Sequence, residues 1–183
     1  MEQRYDLSGS LLHWYDYNKR ILPWRENKDP YRIWISEIML QQTRVEAVKP
    51  YFDRFMEVLP TVYDLAKVDD DRLMKLWEGL GYYNRARNLK AAAQTIVEEY
   101  GGQLPADYDK LLSLKGIGMY TAGAIGSIAF ELQVPAVDGN VLRVLTRLWG
   151  DDSDILKDKT KKAMEEESWN LCRKTDREIL IRH

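Results

Sequence analysis

Two carboxylates in this 183-residue chain sit where their surroundings suit them to chemistry. Glu37 lies in the stretch 31–42, apolar on nearly all sides, at helical spacing from Ile33, Trp34 and Gln41. A carboxylate among such neighbours loses solvation, which raises its pKa and favours the protonated form near neutral pH. The competing reading pairs Glu37 with a buried arginine, Arg25 or Arg44, because buried charges are usually compensated. Asp138 follows the apolar run 134–137 and opens a helix expected over 141–148. It is placed to cap that helix, and a cap anion is held ionised by the helix dipole, so capping and chemistry are compatible. Arg143 and Arg147, one turn apart, add local positive charge. A protonated acid at the leaving group and an anion beside a sugar cation are what cleavage of a glycosidic bond requires. Whether these two carboxylates meet is a matter of tertiary structure.

Two further groups of residues suit binding. Gly116-Ile117-Gly118 joins two helix-like runs. Backbone N–H groups at such a turn, at the start of a helix, can hold one phosphate, and a purely structural helix–helix turn explains the glycines as well. Tyr82 and Tyr83 occupy a glycine-rich corner directly before Arg85, Arg87 and Lys90. Aromatic rings there could wedge between bases while the cations meet phosphates. Alternatively one tyrosine packs in the core and the cations form a solvated face. The polar helix end Gln41-Gln42-Thr43 is open to the same two readings.

The elements that must position these groups are helices. Leu7, Leu11, Leu12, Trp14 and Tyr15 suit a helix with one buried side, broken by 22–25. Asp29-Pro30 is a helix start, a cap residue followed by proline at the first helical position. Residues 50–59 form an amphipathic segment, and Asp70 or Asp71 caps a helix with Leu73, Leu76, Trp77 and Leu80 on one face. Asn84 caps a long helix with Leu89, Ala92, Ala93, Ile96, Val97 and Tyr100 inward, ended by Gly101-Gly102. Leu111, Leu112 and Leu114 point inward before the glycine turn, and a helix resumes over 120–130. With no alternating strand pattern, the fold is expected to be all-α.

Composition narrows the function classes. Hydrophobic residues make up 45%, enough for one substantial core or two small lobes. No apolar run approaches a membrane span and the first residues carry no signal-peptide pattern, which suggests a cytoplasmic protein. One cysteine, Cys172, excludes an internal disulfide and a metal or cluster site built from several cysteines of this chain. The net charge of −2 means that any DNA contact relies on local positive charge.

The segments LPWR (22–25), DPYRIWISEIMLQQT (29–43), GLGYYNRARNL (79–89), LKGIGMYTAGAI (114–125) and VDGNVLRVLTR (137–147) together resemble the MutY-type adenine DNA glycosylases of the helix-hairpin-helix-GPD superfamily. The match covers about residues 5–150, and its five motifs occur in the family order. It implies a two-lobed helical fold: residues 1–28 contribute a helix to the second lobe, 29–135 form a six-helix-type lobe holding the hairpin motif at about 108–130, and 136–183 supply the rest of the second lobe. It implies removal of adenine mispaired with 8-oxoguanine or guanine in double-stranded DNA, by a nucleoid-associated enzyme acting as a monomer.

By the same resemblance, Glu37 protonates the adenine, Asp138 stabilises the sugar cation or forms a transient adduct, and Tyr120 and Asn140 support the two carboxylates. Gln42 and Tyr82 match wedge residues, with Leu80 and Thr43 near the opposing base. From the residue reading above, Gly116 and Gly118 are the candidates for a phosphate, and Arg85, Arg87 and Arg143 for cationic contacts to DNA. Related bifunctional enzymes carry a lysine where this chain has Tyr120; a phenol forms no imine, so a monofunctional hydrolase is expected.

The resemblance fades from Asp151 onward. The family usually continues into four cysteines holding a [4Fe-4S] cluster and then into a domain that reads 8-oxoguanine; no cofactor is expected within this chain. Residues 151–183 suit a solvated amphipathic end helix; the absence of the helix that usually follows is expected to expose apolar surface, and the absence of the reading domain to weaken recognition of the opposing base. Two other functions compete: a glycosylase for another mismatched base, such as thymine opposite guanine, and a DNA-binding remnant with little turnover.

Overall fold

Asp29 accepts a hydrogen bond from the Tyr31 amide at 2.9 Å, and Pro30 begins the helix on which the core is built. In the computed structural model, which describes residues 7–174, ten α-helices follow in order. They are α1 (Leu7–Asn18), α2 (Pro30–Leu40), α3 (Val45–Val58), α4 (Val62–Lys67), α5 (Asp70–Trp77), α6 (Asn84–Tyr100), α7 (Tyr108–Ser113), α8 (Met119–Phe130), α9 (Gly139–Trp149) and α10 (Asp158–Lys174). The described residues contain no strand, as an all-α fold requires.

Helix α2 is the centre. Ile33, Trp34, Ile35, Ile38 and Met39 are buried on it, and α3 and α8 pack against it. Phe52 and Phe55 of α3, Trp77 of α5 and Leu89 of α6 complete one continuous core. A smaller cluster joins Leu142 and Leu145 of α9 to Met164 of α10.

Several local expectations are corrected. Helix α3 begins at Val45 and carries Pro50 inside it, because burying Val48, Phe52, Phe55 and Met56 outweighs one lost backbone hydrogen bond. Asp69, one residue before the expected caps, receives the amides of Asp71 and Arg72. Asn84 is the first residue of α6 and not its cap; its Oδ1 accepts from Arg87 instead. Leu112 is exposed, since the six-residue α7 turns only Leu111 inward. On α1, Leu11 and Trp14 lie exposed, so the expected buried side is not seen at these positions. Helix α10 is more than a solvated end: Met164, Thr160 and Ser168 are buried, and the Trp169 ring meets Tyr108 edge-on at 5.3 Å.

One contact places the site directly. The segment carrying Val134, Pro135 and Ala136 runs back along α8 toward Asp138, and a Cβ on Gly123 would stand 2.0 Å from the Pro135 carbonyl oxygen. Backbone cannot yield there as a flexible side chain would. Gly123→Ala is therefore expected to cost about 1–3 kcal/mol, read as a lower melting temperature, and to displace Asp138.

Candidate active site

Glu37 projects from α2 toward the start of α8, where Tyr120 is the second helical residue. The Tyr120 hydroxyl donates a hydrogen bond to the Glu37 carboxylate. Burial raises the Glu37 pKa, and the nearby Asp138 charge adds to the rise, while the Tyr120 hydrogen bond and the Arg25 charge oppose it. The net effect holds the Glu37 carboxyl above the ordinary carboxylate range. Burial and the adjacent Glu37 push the Tyr120 phenol well above its ordinary range, so it remains a donor. The Asp138 charge acts on Glu37, so two carboxylates 101 positions apart in sequence lie near one another in the fold.

Asp138 caps α9 and is held by three donors. Its Oδ1 accepts from the amides of Asn140 at 2.9 Å and Val141 at 2.8 Å, and its Oδ2 accepts from Asn140 Nδ2 at 2.7 Å. Arg143 donates to Asn140 Oδ1, which turns the amide nitrogen toward Asp138. The structure thus gives Arg143 a positioning task within the site. Capping and placement of the carboxylate are one arrangement.

Arg25 enters here as more than a pairing partner. It ends a short 3-10 turn, Pro23–Arg25, anchored by buried Leu22 and Trp24, and its charge acts on both Glu37 and Tyr120. Arg44, the other proposed partner of Glu37, precedes α3 and is not among the charges that act on Glu37. The motif LPWR carried the signal: two buried side chains flank a proline and hold the next cation in place.

The expected wedge residues lie apart from these carboxylates. Gln42 and Tyr82 both adopt left-handed backbone, with φ of 59° and 46°, and both line a groove of about 610 Å³ with Gln41, Tyr83, Asn84, Arg85 and Asn88. Tyr82 is 68% exposed. Such backbone costs on the order of 1–2 kcal/mol in a non-glycine residue and gathers at functional sites. Gln42→Gly is expected to stabilise the fold by about 0.5–1 kcal/mol in a denaturant titration, and to weaken duplex binding by deleting the amide.

Arg85, grouped by sequence with cations suited to phosphates, is occupied otherwise. Its Nη1 donates to the carbonyls of Ile38 at 2.7 Å and Gln41 at 2.8 Å, and its Nη2 to those of Leu80 at 3.0 Å and Gly81 at 3.2 Å. It ties the carbonyl end of α2 to the α5–α6 turn, where a cation complements the helix dipole. Burial pulls its pKa below the usual guanidinium value. The Leu80 side chain is buried, so Leu80 anchors the turn. Thr43 donates to the Gln41 carbonyl at 3.3 Å and closes the α2–α3 turn. Arg87 is exposed, and its Nη1 donates to Asn84 Oδ1 at 3.0 Å.

Gly116 has φ of 82°, and a Cβ there would press on Asn88 at 2.7 Å. Gly118 precedes α8 with no side-chain cap and open space around it, which leaves the first-turn amides of α8 accessible. Cys172 is the single cysteine, and burial raises its thiol pKa, away from the thiolate that a cluster ligand needs; four such ligands cannot come from this chain. No described helix is long and apolar enough to cross a membrane.

Comparison with known proteins bears on the family and the fold. Residues 35–174 match the HhH-GPD superfamily base excision DNA repair protein model, so the similarity runs through α10, beyond the residue near 150 where the motifs fade. The chain is 44% identical to an adenine DNA glycosylase of Buchnera aphidicola, over 92% of this chain and 47% of that protein. It is 45% identical to the mouse adenine DNA glycosylase, over 90% of this chain and 33% of that protein. It is 48% identical to the human one, over 76% of this chain and 27% of that protein. The chain therefore spans half or less of the length of these relatives. A thermostable thymine-DNA glycosylase superposes with a TM-score of 0.81 at 30% identity, covering 94% of this chain and 82% of that one. A trapped endonuclease III–DNA covalent intermediate superposes at 0.69 and 25% identity, covering 95% and 81%. With an all-helical fold, a hairpin between α7 and α8 and a family match over more than half its residues, the chain belongs to the HhH-GPD superfamily of base excision DNA repair proteins.

Proposed function

We propose that this chain is an adenine DNA glycosylase acting on adenine opposite 8-oxoguanine or guanine in duplex DNA. The observation that carries the proposal is the convergence of Glu37, Tyr120 and Asp138, supported by the adenine DNA glycosylases among its relatives. The target nucleotide leaves the stack, because neither carboxylate reaches a glycosidic bond inside an intact duplex. Protonated Glu37 gives its proton to a ring nitrogen of adenine as the N-glycosidic bond breaks and its electron pair moves to the base. Asp138 faces the sugar cation that remains. Water then adds at the sugar carbon and returns a proton to Glu37, leaving adenine and an abasic site. The amides at the start of α8 hold a phosphate of the bound strand.

A duplex with adenine opposite 8-oxoguanine, incubated with the protein and then treated with alkali, tests this. Strand breaks at the adenine support it, and intact DNA from cooperatively folding protein overturns it. The thymine-DNA glycosylase likeness makes thymine opposite guanine the informative second substrate. Breaks at thymine alone replace adenine by thymine as the substrate. A salt-sensitive gel shift without breaks in any duplex marks a binding module.

The reaction ends at the abasic site in this reading. Tyr120 offers no amine, so borohydride is expected to trap no covalent protein–DNA adduct, and Tyr120→Lys is the variant in which a trapped adduct becomes possible.

A further inference from the structure

Three non-glycine residues among those described adopt left-handed backbone: Gln42, Tyr82 and Glu131. Glu131 ends α8, whereas Gln42 and Tyr82 are exposed on two separate turns and line one groove. The peptide before each of these two is held by the same side chain. Arg85 Nη1 donates to the Gln41 carbonyl at 2.8 Å, and Nη2 donates to the Gly81 carbonyl at 3.2 Å. Bonds from Nη1 to the Ile38 carbonyl and from Nη2 to the Leu80 carbonyl, at 2.7 and 3.0 Å, fix the guanidinium on both segments. Its carbon also lies 5.7 Å from the Tyr82 ring centre and 5.4 Å from that of Trp77, whose indole N–H donates to the same Gly81 carbonyl at 3.1 Å. A planar fork bonds two groups of carbonyls in a fixed relation, which a lysine ammonium, a single point charge, cannot do.

We propose that Arg85 is a positioning residue that makes Gln42 and Tyr82 one rigid wedge, set before DNA arrives. The inference rests on the duplex reading above, in which the target nucleotide leaves the stack. Side chains that enter a base stack from two turns must keep a set separation, and no local turn geometry sets it here. Left-handed backbone persists in a non-glycine residue only where its surroundings over-determine it. Released from the fork, each residue relaxes toward right-handed backbone and aims its side chain elsewhere. Held by it, both stay in place in the unbound protein, so the cost of ordering them is met on folding and not on binding. Arg85 spends its Nη donors on main-chain carbonyls and acts on DNA through these two residues.

Arg85→Lys keeps the charge and removes the fork. Nitrogen-15 relaxation of the free full chain reads its effect, because the Gln42 and Tyr82 amides belong to the held peptide groups. In the parent both order parameters are expected near the rigid value of about 0.85; in Arg85→Lys at least one is expected to fall below about 0.6, while amides within α2 and α6 keep theirs. Extrusion is then followed by the fluorescence of 2-aminopurine in place of the target adenine, once opposite guanine and once opposite a tetrahydrofuran abasic analogue. Arg85→Lys is expected to lose about 10–10²-fold in extrusion from the paired duplex, and much less from the unpaired one, where a loose base needs little help to leave. Rigid peptides at both positions in the variant, undiminished extrusion, or equal losses from the two duplexes overturns the proposal. If Arg85→Lys does not fold, the parent decides: a guanidinium held on two segments gives distinct, slowly exchanging Nη–H resonances, and one averaged signal overturns the proposal. Failure of the parent itself to extrude 2-aminopurine counts against the adenine reading, and the relaxation result still judges Arg85.

Discussion

Glu37→Gln is expected to lower the rate of adenine release by about 10²–10⁴-fold while the duplex still binds, measured by single-turnover kinetics and gel shift. The amide keeps the size of the side chain and still accepts from Tyr120, so the loss reports the proton and not the packing. The pH profile carries the same signature. Burial raises the Glu37 pKa, so the proton-bearing form extends upward toward neutrality, and the rate falls as pH rises through that value. Tyr120→Phe removes a hydrogen bond that lowers the Glu37 pKa, so the falling limb is expected to move to higher pH. A limb that stays in place in this variant would show that another group supplies the proton.

Asp138→Asn separates the cap from the chemistry. Asparagine caps helices about as well as aspartate, and its oxygen can still accept from the amides of Asn140 and Val141. One contact is lost: a side-chain NH₂ now faces Asn140 Nδ2, which Arg143 holds in that orientation. The melting temperature is expected to fall by no more than a few degrees, equivalent to about 1 kcal/mol. The rate is expected to fall by about 10²–10³-fold, because the sugar cation has lost its facing anion. Retention of rate with this small stability change would leave Asp138 a cap and nothing more. Gly123→Ala probes the same carboxylate from behind, with the opposite balance of a larger stability loss.

The division between sequence and structure is clearest in the residues themselves. Helices were legible wherever an apolar stripe was long, as in α2 and α6, and where Asp29-Pro30 supplied an unambiguous start. Short helices were not: α4, with its reciprocal Thr61–Asp64 cap, spans six residues, too few for periodicity to stand out. Among three successive aspartates, backbone torsion decided that Asp69 is the cap, and torsion is set by the turn before it. Arg85 reads in sequence as one cation of a surface trio, and only the fold shows the α2 carbonyls waiting for it.

By itself the sequence determined the residue types of the site, the hairpin and the five motifs in their order, because helix starts, glycine turns and apolar spacing are local properties. The tertiary structure decided that Asp138 lies near enough for its charge to act on Glu37, that Tyr120 joins Glu37, and that Arg143 and Arg25 approach this region from two different elements. The reason is physical: hydrogen bonds and charge act over a few ångströms of space, and the helices that bring these groups together are packed by contacts, such as Gly123 against Pro135, that no sequence interval records.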